Sequence, residues 1–172
     1  MKLQLILLDD LFYRGTGPRG NTGPAGPTGP TGPESVSIYG SRYDATENTI
    51  AATANTSTVI PLTTIGETMG ITSETENALT INENGIYKID YLFQGSSNVQ
   101  GDLTLEVMNN NNQIKGSTIT KEVTANNDAT LVGSVITPLN AGDKITLSIE
   151  SSVTATLTPT SGTSVYLNIV KL

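Results

Sequence analysis

The stretch "NENGIYKIDYLF", residues 82–93, places Tyr87, Ile89, Tyr91 and Phe93 at every second position after an Asn-Glu-Asn-Gly turn. Successive side chains of an extended chain point to opposite faces, so these four share one side of a strand. The same beat returns in "LTLEVMN" (103–109), "ATLVGSVITPL" (129–139), "DKITLSIES" (143–151) and "SVYLNIVKL" (164–172). Their apolar faces are Leu103/Leu105/Val107, Leu131/Gly133/Val135, Ile145/Leu147/Ile149 and Val165/Leu167/Ile169. A period of two with many β-branched residues marks half-buried strands. Turn signals separate them: "NNNN" at 109–112, "NND" at 126–128, "NAGD" at 140–143 and "TSG" at 160–162. No segment of 36–172 reads as a helix. About ten short strands over 36–172 predict an all-β domain, a two-sheet sandwich of jelly-roll type.

The wording of these strands resembles a known group. "NENGIYKIDYLF" is similar to the Gly-x-Tyr strand of globular heads in the complement and tumour-necrosis-factor superfamily. "LNAGDKITLSIE" resembles their later Gly-Asp turn and apolar strand, and "TSVYLNIVKL" resembles their last strand. The resemblance implies a compact trimer, a last strand central in its sheet, and a collagen stalk on the N-terminal side. Tyr87, Tyr91, Phe93 and Tyr166 are then candidates for the core or for the threefold axis, since an amphipathic ring suits both settings. Calcium at such an axis is an open question that no residue here decides.

Upstream, "GPRGNTGPAGPTGPTGPE" (17–34) keeps glycine at Gly17, Gly20, Gly23, Gly26, Gly29 and Gly32. A collagen triple helix needs glycine at every third residue, because only glycine fits at the crowded axis. Proline fills the X positions except at Asn21, and fixes φ close to what the winding needs. No Y position holds proline, which points to a bacterial rather than an animal tract. Eighteen residues make a rod of roughly 55 Å at most. So short a rod needs its three chains gathered by something else, which assigns the trimerising role to the remainder of the chain. Thr22, Thr28 and Thr31 occupy Y positions, point outward from a triple helix, and are candidates for O-linked sugar.

The first residues, "MKLQLILLDDLFYR", contain a short apolar run broken by Asp9 and Asp10. The run is shorter than a secretory signal or a membrane span requires. Leu3, Leu5 and Leu7 share a face if the peptide is a strand; Leu3, Leu7 and Leu11 align if it is a helix. Either way Leu3, Leu5, Ile6, Leu7, Leu8, Leu11 and Phe12 form apolar surface of the kind that marks docking sites. Three regions are therefore expected: a docking or anchor peptide at 1–14, a Gly-X-Y stalk at 15–35 and a trimerisation head at 36–172.

Composition narrows the function. A net charge of −7 with only nine Lys and Arg argues against nucleic acid. The absence of cysteine and histidine removes disulfides, thiolate chemistry, imidazole-ligated zinc and the Ser-His-Asp arrangement. Glu74, Glu76, Glu83, Asp90, Asp102, Asp128 and Asp143 are dispersed and lack calcium-loop spacing, so neither a metal site nor a cofactor is expected. A short collagen tract, this head, no cysteine and much threonine together resemble the collagen-like glycoproteins of bacterial spore surfaces. That resemblance implies a non-enzymatic homotrimer of an exosporium nap or endospore appendage. It would join further copies of itself in a fibre, or a spore-coat anchor protein, through its N-terminal peptide. Relative to that group the stalk is short and a proline-rich attachment leader is missing. The rival is a receptor-binding adhesin or phage tail-fibre tip, reading its target with loops such as Gly95–Gly101 or Asn109–Gln113.

Overall fold

Residues that alternate apolar and polar along the chain bury one edge of each pleat, and the sheets pair so that these edges meet. The computed structural model describes residues 17–24, 26, 37–46 and 48–172. The chain divides into two units, Met1–Glu34 and Ser35–Leu172. In the first, residues 17–24 and 26 are exposed and have no regular secondary structure. Gly29, Gly32, Thr28, Thr31 and the apolar peptide from Leu3 to Phe12 lie outside the described residues.

The second unit is built from strands alone among its described residues. In chain order they are β1 (Tyr39–Asp44), β2 (Ile50–Ala52), β3 (Thr58–Val59), β4 (Thr64–Met69), β5 (Ile71–Thr72), β6 (Ala78–Ile81) and β7 (Gly85–Ser97). There follow β8 (Gly101–Asn109), β9 (Asn112–Gln113), β10 (Ile119–Val123), β11 (Asp128–Leu139), β12 (Lys144–Ser151), β13 (Ala155–Pro159) and β14 (Val165–Lys171). Fourteen segments replace the expected ten, because the chain before Gly85 contributes several strands of two to six residues.

Two antiparallel sheets result. In the first, β7 pairs along one edge with β11 over its whole length and along the other with β14 and then β13; β14 pairs onward with β1, and β1 with β4. β14 is thus flanked by β1 and β7, central in its sheet. In the second sheet β12 lies between β8 on one side and β6 with β3 on the other, and β10 borders β8. The long chain crossings between sheets make this a jelly-roll sandwich, as the alternation predicts.

The core lies between the sheets. Tyr87, Ile89, Tyr91, Phe93, Val165, Leu167 and Ile169 from the first face Leu103, Leu105, Val107, Ile145, Leu147 and Ile149 from the second, all essentially inaccessible. Each such side chain contributes about 1.5–3 kcal/mol relative to exposure. Asn110 (φ 51) and Asn111 (φ 65) adopt the left-handed conformation that a two-residue hairpin demands between β8 and β9, which is why asparagine suits those two positions. Arg42 is one of the polar residues that the head buries. Arg42 donates from its two terminal nitrogens to the carbonyls of Leu62 and Ser73, each at 2.6 Å, and ties together the turns on either side of β4 and β5. Its burial lowers the guanidinium pKa, with nearby Glu76 opposing that shift.

Candidate subunit interface

The two outer faces of the sandwich differ sharply. On the second sheet the outward set is mostly polar, although Met108 and the exposed Val59 belong to it: Asp102 opposes Glu122, Thr104 lies between Thr120 and Glu150, and the buried Glu106 opposes the buried Ser148. Thr104 and Thr120 share a hydrogen bond of 3.0 Å, and Ser57 donates to the buried Glu106 carboxylate at 2.9 Å. Water satisfies such a face well.

The first sheet turns apolar groups outward, and its register arranges them in rows across four strands. Tyr43 opposes Tyr166, Tyr166 opposes Leu92, and Leu92 opposes Val132. Two residues further along each strand the row is Ser41, Asn168, Asp90 and Ser134. The next is Tyr39, Val170, Lys88 and Ile136, and beyond it Ile86 opposes Pro138 while the Leu172 amide donates to the Ile86 carbonyl. Val132 and Ile136 are 57% and 61% exposed, and Ile86, Val170 and Leu172 are exposed with them. Apolar rows this extensive, even with a polar row between them, are a feature of interaction surfaces, whereas scattered exposed residues are not. It also borders β11, which has no hydrogen-bonded strand on its far edge among the described residues. An open, largely apolar edge invites pairing with another chain unless it is covered.

The polar row has its own internal bonding. Ser41 donates to the Asn168 side-chain oxygen at 2.6 Å, and the Lys88 ammonium meets one Asp90 oxygen at 2.9 Å.

Of the aromatic candidates, Tyr87, Tyr91 and Phe93 sit in the core, while Tyr166 stands half-exposed on the outer face beside Tyr43. The Tyr91 hydroxyl donates to the Ser117 carbonyl at 2.6 Å, and the Tyr87 hydroxyl to the Glu83 carbonyl at 2.8 Å. Burial raises both phenol pKa values. Lys171 is raised too, chiefly by its hydrogen bond to Glu83. Thr22 is exposed.

The dispersed carboxylates do not converge: among the described residues no three His, Cys, Asp or Glu side chains are grouped to hold a metal. Asp143 is a turn anchor, accepting from the side-chain amides of Asn109 and Asn110 and from the Asn140 backbone, each at 2.9 Å. Beside that turn a cleft of about 390 Å³ is walled by Asn109, Asn110, Asn112, Gln113 and Lys115 over a floor of Ile114 and Leu139. Among the described residues no helix is long and apolar enough to cross a membrane. The face residues Tyr39, Tyr43, Leu92, Val132, Ile136 and Val170 escape sequence reading, since each sits between inward apolar neighbours or in a strand whose polarity is inverted.

Comparison with known proteins agrees with this architecture. Residues 41–172 match the family model described as the BclA C-terminal domain. The fold is similar to Eiger TNF from S. frugiperda, with a TM-score of 0.59 at 12% identity over 79% of this chain and 92% of that one. It is similar also to murine APRIL, solved at pH 5.0, with a TM-score of 0.55 at 16% identity over 80% of this chain and 100% of the other. At such identities the likeness concerns the fold alone. No curated protein matches the chain.

Proposed function

The chain belongs to the BclA C-terminal domain family, and we propose that it is a non-enzymatic, homotrimeric subunit of a bacterial spore-surface fibre or nap. The observation that carries this reading joins the two units by chemistry rather than by position. Among the described residues, a Cβ added at Gly17, Gly20, Gly23 or Gly26 would meet nothing within 4 Å. The strict glycine spacing matches instead the demand of two further chains at a shared axis. The head supplies what a short tract lacks, one apolar outer face that a second and a third copy can cover.

In this reading the mechanism is mechanical. The heads fix the stoichiometry, the tract spaces them, and the apolar N-terminal peptides Leu3–Phe12 make the anchoring or longitudinal contact. Chemically different ends permit head-to-tail growth, because a heterologous contact that does not close yields an open filament. The family and the spore-surface resemblance support placement at the exosporium or an appendage. Outward threonines of the tract, Thr22 among them, are the sites for sugar. Electron microscopy of the purified chain tests the assembly: periodic filaments or rosettes are expected, and removal of residues 2–12 leaves discrete particles. Filaments that persist without those residues overturn the role given to the peptide.

The amide-lined cleft at Asn109–Gln113 favours one second reading, a receptor-binding head for polar ligands such as glycans. Saturable glycan binding that Asn112→Ala abolishes supports that reading.

A further inference from the structure

The outer face of the first sheet would bury more apolar surface if its second row were apolar as well. Instead Ser41, Asn168, Asp90 and Ser134 cross it as a continuous polar stripe between the row ending at Val132 and the row ending at Ile136. We propose that this stripe is the element that selects the partner of the face, admitting a second copy of this chain in one register; the inference rests on the trimeric reading above.

The stripe carries unspent hydrogen-bonding capacity. Asn168 uses its side-chain oxygen to accept from Ser41, and among the described residues its amide N–H groups have no partner. Asp90 uses one oxygen on Lys88, while its other oxygen and the Ser134 hydroxyl have no partner among the described residues. These groups are half-buried or exposed, so water satisfies them in the single chain. A wholly apolar partner would strip that water and return nothing, leaving one carboxylate oxygen, an amide and a hydroxyl without partners. A second copy at the matching level brings an amide donor to a carboxylate acceptor and restores the bonds.

A copy docked one row out of level sets these polar groups against Tyr43, Tyr166 or Val132 and leaves their water-stripped donors and acceptors without partners. The apolar rows then supply affinity, and the stripe supplies discrimination by penalising every other arrangement. A lone polar position that fixes register and oligomer number at a cost in stability is known from coiled coils, and the same physics applies to a sheet face.

The test uses the full-length chain, held above the temperature at which its Gly-X-Y tract loses polyproline-type circular dichroism, so that the heads alone associate. Native mass spectrometry reads the stoichiometry of wild type, D90V/N168V and S134V, with far-ultraviolet circular dichroism verifying the folded sheet. Ser134 is exposed at the sheet margin, so S134V keeps the test decisive if the double variant does not fold. Wild type is expected as one trimeric species. D90V/N168V, and S134V to a lesser extent, are expected to populate at least two stoichiometries at the same concentration. Folded variants that remain solely trimeric overturn the selecting role while leaving the trimer intact. A monomeric wild type overturns the trimeric reading and this inference with it.

Discussion

Gly133 occupies an inward position of β11 where the alternation calls for a large apolar residue. A Cβ there would lie 2.5 Å from the Tyr91 hydroxyl oxygen, and that hydroxyl is fixed by its bond to the Ser117 carbonyl. The ring cannot yield without giving up a buried hydrogen bond. Gly133→Val is therefore expected to destabilise the head by about 2 kcal/mol, within the range for overpacking, read as a lower denaturant midpoint. Tyr91→Phe removes the hydroxyl and the bond, at a cost of about 1 kcal/mol. The same hydroxyl controls alkaline behaviour. Burial raises the pKa of Tyr91 and Tyr87 above the ordinary 10.0, so the folded state holds these protons more tightly than the unfolded chain does. Their share of stability is intact below pH 10 and is lost as pH rises through the raised values. Denaturation curves between pH 9 and 12 are expected to show stability falling above about pH 10, less steeply in Tyr91→Phe. Equal slopes in the two proteins contradict the assignment.

At the scale of strands and faces, the contrast between the two sheets makes a direct prediction. Val132→Lys puts a charge in the middle of the apolar face, and a buried unpaired ammonium is costly enough to break a subunit contact. Thr120→Lys puts the same charge on the hydroxyl-rich face of the other sheet. Size-exclusion profiles are expected to shift to smaller species for the first variant and to stay unchanged for the second. The long strands from β7 onward were legible in the sequence because most of their inward positions are apolar. β1 was not, and its burial pattern explains why. In "YGSRYD" the inward residues are Gly40, Arg42 and Asp44, while Tyr39, Ser41 and Tyr43 face outward, so polarity runs opposite to the usual alternation. The terminal nitrogens of buried Arg42 are satisfied by carbonyls, and buried Asp44 by the hydroxyls of Thr46 and Thr63, which no local pattern announces. The rows of the outer face were illegible for a related reason. They join residues such as Tyr43 and Tyr166, whose meeting depends on the pairing of distant strands.

For the molecule as a whole, the tract and the head each leave a physical demand that one chain does not meet. Among the described residues nothing lies within 4 Å of a Cβ added at Gly17, Gly20, Gly23 or Gly26, and the first sheet turns exposed Val132 and Ile136 outward. Under the proposed reading three copies meet both demands at once, and membership of the BclA C-terminal domain family supports a spore-surface setting for them. Sedimentation equilibrium of the full-length chain at micromolar concentration tests this most directly. Each chain weighs 18.0 kDa, and the account predicts a single species of three chains, about 54 kDa, that Val132→Lys disperses. A wild-type particle of 18.0 kDa that stays single as concentration rises contradicts it.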